Sequence, residues 1–320
     1  MELRPEITER LERLEKKYQA MGQDLASYLD GLLYSEYLTY WDYIHLDTLL
    51  SLQNPKTAFP DEKIFILYHQ ITELYFKAAL HEYEQLSSAS PITGDFLLAR
   101  VNRINRYFEN LIHSFEIMVD GMDKDQFLKF RMSLLPASGF QSVQYRMVEI
   151  CSTDFHRLIS EDHRKEFDKN TTIEEMFEFI YWTSGATELS SGNKTLTLKQ
   201  FEKKYTTKLI ELAKEYKNLN LWALYKRLPK TEQENPKLIH ALRQIDVNVN
   251  VNWPLSHYKS AVRYLHRQPA DIAATGGTNW QKYLPPRFQK RIFYPELWSQ
   301  EELNNWGLKW VESVLKEGKN

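Results

Sequence analysis

Apolar residues recur every three or four positions along most of this chain, which is the spacing of amphipathic helices. The first such stretch runs from Pro5 to about Leu33, and a second from Thr39 to Leu52. A third helix is predicted to begin at Pro60-Asp61-Glu62, where proline and acids suit a helix N-terminus, and to continue to about Gln85. Further helices are predicted at Phe96–Met118, at Lys124–Met132, from Phe140 onward, and at Ile173–Trp182, Leu198–Tyr216, Leu221–Arg227, Glu232–Ile245, Leu255–Arg267 and Gln300–Leu315.

A strand-like alternation occurs at Asn248-Val249-Asn250-Val251-Asn252, but no second segment offers a convincing partner strand. We therefore interpret this segment as an extended linker. The predicted fold is all-α, with helices packed as a bundle and no substantial sheet, in a single domain over residues 1–320. Residues 1–38 are charged enough to lie on the outside or across a neighbouring subunit, and we predict a helical arm of that kind.

Composition narrows the class of protein. Basic and acidic residues nearly balance, 41 against 43 for a net charge of −2, which disfavours nucleic-acid and membrane-surface partners. No apolar run approaches the length of a membrane span, and the charged N-terminus is unlike a signal peptide. The single cysteine, Cys151, excludes an intrachain disulfide and fits a reducing compartment. We therefore expect a cytoplasmic protein.

The familiar catalytic motifs HExxH, the P-loop, GxGxxG and GxSxG are missing from the sequence. Nine scattered histidines and an aromatic content of 13% suit a haem protein, because haem needs one strong protein ligand and a shaped pocket. Phe65 and His69 are four residues apart and share a helical face, as in a pocket for a flat ligand. A buried core histidine is the alternative for His69. His257, in the first turn of a predicted helix, is a weak candidate metal ligand.

Two further segments carry candidate ligand-binding groups. Arg131 lies among apolar residues and needs an anionic partner, either an internal carboxylate or a substrate carboxylate held by the guanidinium fork. The segment Thr275-Gly276-Gly277-Thr278 offers backbone N–H groups and hydroxyls to a charged head group, or is an ordinary turn.

Taken together and in order, several motifs resemble the tryptophan 2,3-dioxygenase family. They are Tyr40-Trp41-Asp42-Tyr43, Leu46-Asp47-Thr48-Leu49, Phe65-Ile66, His69-Gln70, Phe130-Arg131, Pro136-Ala137-Ser138-Gly139-Phe140-Gln141-Ser142, Thr275-Gly276-Gly277 and Phe293-Tyr294-Pro295-Glu296-Leu297. The resemblance covers about residues 38–150 well and 250–298 in patches. It implies an all-helical subunit that binds haem b, with ferrous iron in the active state, in a cytoplasmic homotetramer. The implied reaction inserts O2 across the indole C2–C3 bond of L-tryptophan and gives N-formyl-L-kynurenine.

The resemblance also implies roles for individual residues. His257 matches the proximal haem iron ligand, with His266 as the nearest alternative, and His69 matches the distal histidine that hydrogen-bonds the indole N–H. The remaining matches are to substrate-binding residues. Phe65 matches the ring that packs on the indole, Arg131 the residue that pairs with the carboxylate, and Thr275 and Gly276 the residues that contact the head group. Phe127 is at a position that is tyrosine or phenylalanine in the family, and Tyr40 and Tyr43 match aromatic residues that close the pocket of a neighbouring subunit.

The chain departs from the family on the proximal side. Pro254-Leu255-Ser256 replaces basic and aromatic residues before the histidine, and the segment between His257 and Thr275 is longer than usual. Residues 152–249 receive no role from the resemblance. Two other functions remain open: a related haem oxygenase that adds one oxygen atom to a tryptophan or tyrosine derivative, and a non-catalytic helical ligand-binding protein.

Overall fold

The computed structural model describes residues 3–35, 39–133, 142–168, 171–184, 193–264 and 290–307. They fall into two compact units, residues 1–54 and 55–320. The described residues are helical and contain no strand, apart from one isolated bridge between Ile159 and Ile180. The all-α prediction is confirmed. The single domain and the intersubunit arm at residues 1–38 stay predictions.

The first unit contains four helices: α1 (Pro5–Ala20), α2 (Leu25–Tyr34), α3 (Tyr40–Tyr43) and α4 (Leu46–Ser51). The prediction of one helix from Pro5 to Leu33 was wrong. Gly22 adopts a left-handed φ of 67°, and the Asp24 carboxylate then caps a new helix by accepting the N–H groups of Ala26 and Ser27. The predicted second helix is likewise divided, at His45, whose φ is 51°.

The second unit holds the remaining helices. They are α5 (Asp61–Ser88), α6 (Gly94–Ser114), α7 (Glu116–Asp120), α8 (Lys124–Ser133), α9 (Val143–Ser152), α10 (Ile173–Phe177), α11 (Tyr181–Ser184), α12 (Leu196–Glu215), α13 (Leu221–Arg227), α14 (Lys230–Gln233), α15 (Pro236–Val247), α16 (Trp253–Tyr264) and α17 (Gln300–Asn304), with 3-10 turns at Phe155–Leu158, Arg164–Glu166 and Pro295–Leu297. Three predicted helices are divided: 96–118 between α6 and α7, 173–182 between α10 and α11, and 232–245 between α14 and α15. The last predicted helix, Gln300–Leu315, is described only as far as residue 307, and the rest of it lies outside the described residues.

The core of the second unit forms around α5, which packs against α6 and α9, while α15 covers the other side of α6. Phe76 and Phe108 meet between α5 and α6 and are each 1% exposed. Glu62 in the first turn of α5 is also buried, and its carboxylate accepts the backbone N–H groups of Lys56 and Thr57 at 2.7 Å each. The start of the long third helix is therefore fixed by hydrogen bonds as well as by its sequence.

The prediction of an extended linker at residues 248–252 was wrong. Asn248–Asn252 is a π-helical turn that joins α15 to α16 in one continuous helix. Its side chains bond along the helix, Asn250 Nδ2 to Asp246 Oδ1 at 2.7 Å and Asn252 Nδ2 to Asn248 Oδ1 at 3.1 Å. Among the described helices, none has the length and apolar character to cross a bilayer.

Candidate functional site

Phe65 and His69 form one wall of the candidate site, on the exposed side of α5. Their ring centroids are 4.1 Å apart with an interplanar angle of 34°. The His69 Nδ1 atom lies 2.7 Å from the Phe65 carbonyl oxygen. Because a carbonyl only accepts, Nδ1 carries the proton and Nε2 keeps a free lone pair. The alternative of a core histidine bonded to a neighbouring helix does not hold, since the partner is on the same helix and the ring is exposed.

His69 combines accessibility with a low-dielectric environment. Its ring is exposed, yet burial among the surrounding protein atoms lowers its pKa below the ordinary 6.5, and the positive charge of Arg131 lowers it further. This combination is typical of a ring that lines a concave surface. His69 is therefore neutral at pH 7 and can accept a hydrogen bond through Nε2.

Helix α8 supplies the second wall. Phe127 and Phe130 pack against Phe65, with centroid distances of 6.3 and 5.6 Å. The half-buried Arg131 holds its Cζ atom 5.9 Å from the Phe127 ring centroid. Burial lowers the pKa of Arg131. Of the carboxylates in the described part of the chain, none lies within 4 Å of its guanidinium. The internal salt bridge that the sequence left open is therefore missing there.

His257 lies in the first turns of α16. Its Nδ1 atom is 3.0 Å from the Trp253 carbonyl oxygen, so Nδ1 carries the proton and Nε2 is the free atom. Burial lowers the pKa of His257 to about 4. The neutral state at pH 7 is the one that binds a metal ion.

Two aromatic residues link the histidines. Tyr68 packs edge-on to His69 at 6.3 Å and to Phe115 at 5.7 Å, and Phe115 lies 4.5 Å from His257. Neither Tyr68 nor Phe115 was predicted from the sequence to be a site residue. Tyr68 directly precedes His69 and is 3% exposed, while Phe115 stands at the junction of α6 and α7. Neither has a local signal beyond an apolar character that many core residues share.

The remaining predicted site residues lie either outside the described residues or in the first unit. Thr275, Gly276 and the alternative ligand His266 lie outside the described residues. Tyr40 and Tyr43 belong to the first unit, where their side chains are 71% and 72% exposed. In the part of the chain that the structure describes, no three His, Cys, Asp or Glu side chains cluster as metal ligands. A haem iron needs only one protein ligand.

Comparison with known proteins shows a similarity to one family. A family model described as tryptophan 2,3-dioxygenase matches residues 30–178. A tryptophan 2,3-dioxygenase of Herpetosiphon aurantiacus is 29% identical over 83% of this chain and 98% of that protein. The chain is thus similar to tryptophan 2,3-dioxygenases over nearly half of its length by the family model and over most of its length by individual relatives. Other tryptophan 2,3-dioxygenases that it resembles come from Polaromonas sp., 26% identical over 83% of this chain and 87% of the relative, and from Ruegeria sp., 39% identical over 40% and 44%.

The stretch that matches the tryptophan 2,3-dioxygenase model includes Phe65, His69 and Arg131 but ends well before His257. The proposal that α5 and α8 form the two walls of a site is thus supported by the sequence match as well as by the geometry. The assignment of His257 depends on its unprotonated Nε2 atom and its neutral state.

Proposed function

We propose that this chain is a haem-dependent dioxygenase that inserts O2 across the indole C2–C3 bond of L-tryptophan and gives N-formyl-L-kynurenine. One observation carries the proposal. Two imidazoles on separate helices are linked through the rings of Tyr68 and Phe115, and each has its Nδ1–H bonded to a backbone carbonyl, so the Nε2 atom of each is unprotonated. One can bind iron while the other faces the substrate.

Haem is the cofactor general to this family, and the residues present fit it. We propose haem b, with ferrous iron in the active state and His257 as its protein ligand. The hydrogen bond from His257 Nδ1 to the Trp253 carbonyl fixes the tautomer and the direction of the ring, as partners of metal-bound histidines generally do. When bound, haem supplies the activation of O2, which amino-acid side chains do not provide.

The other wall orients the substrate. The rings of Phe65 and Phe127 offer apolar faces to a flat indole. The Nε2 lone pair of His69 is suited to accept a hydrogen bond from the indole N–H, because the low pKa keeps the imidazole neutral. Arg131 has no carboxylate partner among the described residues and is suited to hold the substrate carboxylate through two parallel N–H groups. Thr275 and Gly276 are proposed to contact the same head group.

We also propose a cytoplasmic homotetramer. The exposed rings of Tyr40 and Tyr43 support a role in closing the pocket of a neighbouring subunit, because exposed aromatic residues are enriched at interfaces. The native mass should then be four times the chain mass of 38.1 kDa. Light scattering of the purified protein tests this directly, and a monomeric mass would contradict it.

An isotope experiment tests the reaction. The haem-loaded protein is reduced without oxygen, mixed with L-tryptophan and exposed to isotopically labelled O2. We expect N-formyl-L-kynurenine that carries two labelled oxygen atoms. A product with one labelled atom would instead identify a mono-oxygenase, and a protein that shows no Soret band after reconstitution would be a non-catalytic ligand-binding protein.

A further inference from the structure

The carbonyl of Val249, in the π-helical turn before His257, lacks its helical hydrogen-bond donor. In this turn the N–H of Trp253 donates to the carbonyl of Asn248, five residues back. The next donor in the same register is residue 254, whose partner is the Val249 carbonyl. Residue 254 is proline and has no N–H. Val249 is 0% exposed, so water does not replace the missing donor.

Two side chains replace that donor. The Tyr145 hydroxyl donates to the Val249 carbonyl at 2.9 Å, and Nη2 of Arg291 donates to it at 3.3 Å. The same Nη2 atom donates to the Tyr145 hydroxyl at 2.9 Å. Tyr145 comes from α9 and Arg291 from the segment before α17. The helical turn is thus completed by two residues that are remote from it in sequence.

A buried charge cluster holds both donors in place. The Glu149 carboxylate, 0% exposed, accepts hydrogen bonds from Arg146, Tyr181 and Arg291, and both guanidinium groups are 4% exposed. A buried guanidinium that is paired in this way has little freedom to move. We call Tyr145, Arg146, Glu149, Tyr181 and Arg291 the Glu149 cluster.

The π-helical turn connects the Glu149 cluster to His257. The turn leads directly into α16, whose first residue, Trp253, supplies the carbonyl that accepts the His257 Nδ1 proton. The Trp253 ring packs on Phe76 at 5.7 Å, and the Tyr145 ring packs on the same Phe76 at 5.5 Å. Tyr145 therefore contacts both the backbone and the ring packing that set the direction of the His257 imidazole.

We propose that Tyr145 and Arg291, held by Glu149, are positioning residues for His257. By completing the turn at Val249 they fix the Trp253 carbonyl, and with it the direction of the Nε2 atom. π-helical turns are frequent at functional sites. This inference rests on the proposed function, in which His257 binds the haem iron.

The test replaces Tyr145 with phenylalanine, which removes one hydroxyl and keeps the ring on Phe76. The affinity for haem should fall by about tenfold, the lower end of the usual cost of losing an outer partner of a metal ligand. The iron–histidine stretching frequency of the ferrous protein should also shift in the resonance Raman spectrum. The matched control is Tyr225→Phe, because the buried Tyr225 also donates its hydroxyl to a backbone carbonyl, that of the half-buried Gln233, at 2.8 Å. The control should lower the thermal stability about as much as Tyr145→Phe does, and it should leave the haem affinity and the iron–histidine frequency unchanged.

A second substitution separates positioning from general stability. Pro254→Ala supplies the missing N–H, so combining it with Tyr145→Phe should restore most of the haem affinity and the original frequency. If Tyr145→Phe does not fold, Arg291→Lys keeps the charge beside Glu149, removes the donor to Val249 and should give the same two changes. The positioning role would be overturned if these variants kept the wild-type haem affinity and iron–histidine frequency, or if Tyr225→Phe changed both quantities by the same amount. A wild-type protein that shows no Soret band after reconstitution would overturn the proposed function instead.

Discussion

Replacing Arg131 with leucine should selectively weaken the binding of ligands that carry a carboxylate. The guanidinium is half-buried, its Cζ atom lies 5.9 Å from the Phe127 ring, and no carboxylate of the described residues is within 4 Å. Burial lowers its pKa, so the charge is poorly solvated and gains from an anionic ligand. A hydrogen bond between charged groups contributes about 1.5–3 kcal/mol. At about 1.4 kcal/mol per tenfold, L-tryptophan should bind roughly 10- to 150-fold more weakly.

The assay is a spectroscopic titration of the haem-loaded protein with L-tryptophan and with tryptamine, which has the same indole but no carboxylate. Arg131→Leu should weaken the binding of L-tryptophan and leave that of tryptamine unchanged. Arg131→Lys keeps the charge but loses the planar fork, so its effect should be intermediate. If the two ligands lose affinity equally, Arg131 supports the shape of the pocket and does not hold the carboxylate.

Three further predictions follow from the same geometry. His257→Ala should abolish stable haem retention, seen as loss of the Soret band; an unchanged band would move the assignment to His266. The pKa of His69 is lowered below 6.5, so the neutral acceptor persists as the pH falls through 6.5, and L-tryptophan affinity should decline only nearer the lowered pKa. A titration at several pH values checks this, and the decline should be lost in His69→Ala. Glu149→Gln leaves two buried guanidinium groups without their carboxylate and should lower the free energy of unfolding by about 3–5 kcal/mol in urea. The control Glu302→Gln breaks a partly exposed pair and should cost less than about 1 kcal/mol.

Local sequence signals predicted much of the fold and one wall of the site. The start of α5, the bounds of α13 and the shared face of Phe65 and His69 depend on residues within a few positions of one another. The break between α1 and α2 was missed although it also has a local signal, a glycine followed by the capping residue Asp24. Apolar periodicity continues through that break, and periodicity alone does not detect the change of direction.

The rest of the site depends on contacts between distant segments. Phe115 contacts His257 across 142 positions of sequence, and nothing near Phe115 indicates it. The choice between an internal and an external partner for Arg131 was equally undecided, because the partner of a buried charge is set by tertiary packing. In the described residues the structure shows the Phe127 ring 5.9 Å from the Arg131 Cζ atom and no carboxylate within 4 Å.

The wrong prediction at 248–252 and the departure from the family at Pro254 have one physical origin. Asn248, Val249, Asn250 and Val251 are each at most 1% exposed, so this helical turn has no solvent-facing side and shows no helical rhythm. Within a helix, a proline removes an N–H and its ring clashes with the carbonyl four residues back, which costs about 3 kcal/mol. The π register relieves this conflict, since it moves the missing bond to Val249, where Tyr145 and Arg291 donate instead. Pro254 therefore leaves the Trp253 carbonyl and its bond from His257 intact, and the altered proximal sequence is compatible with haem ligation.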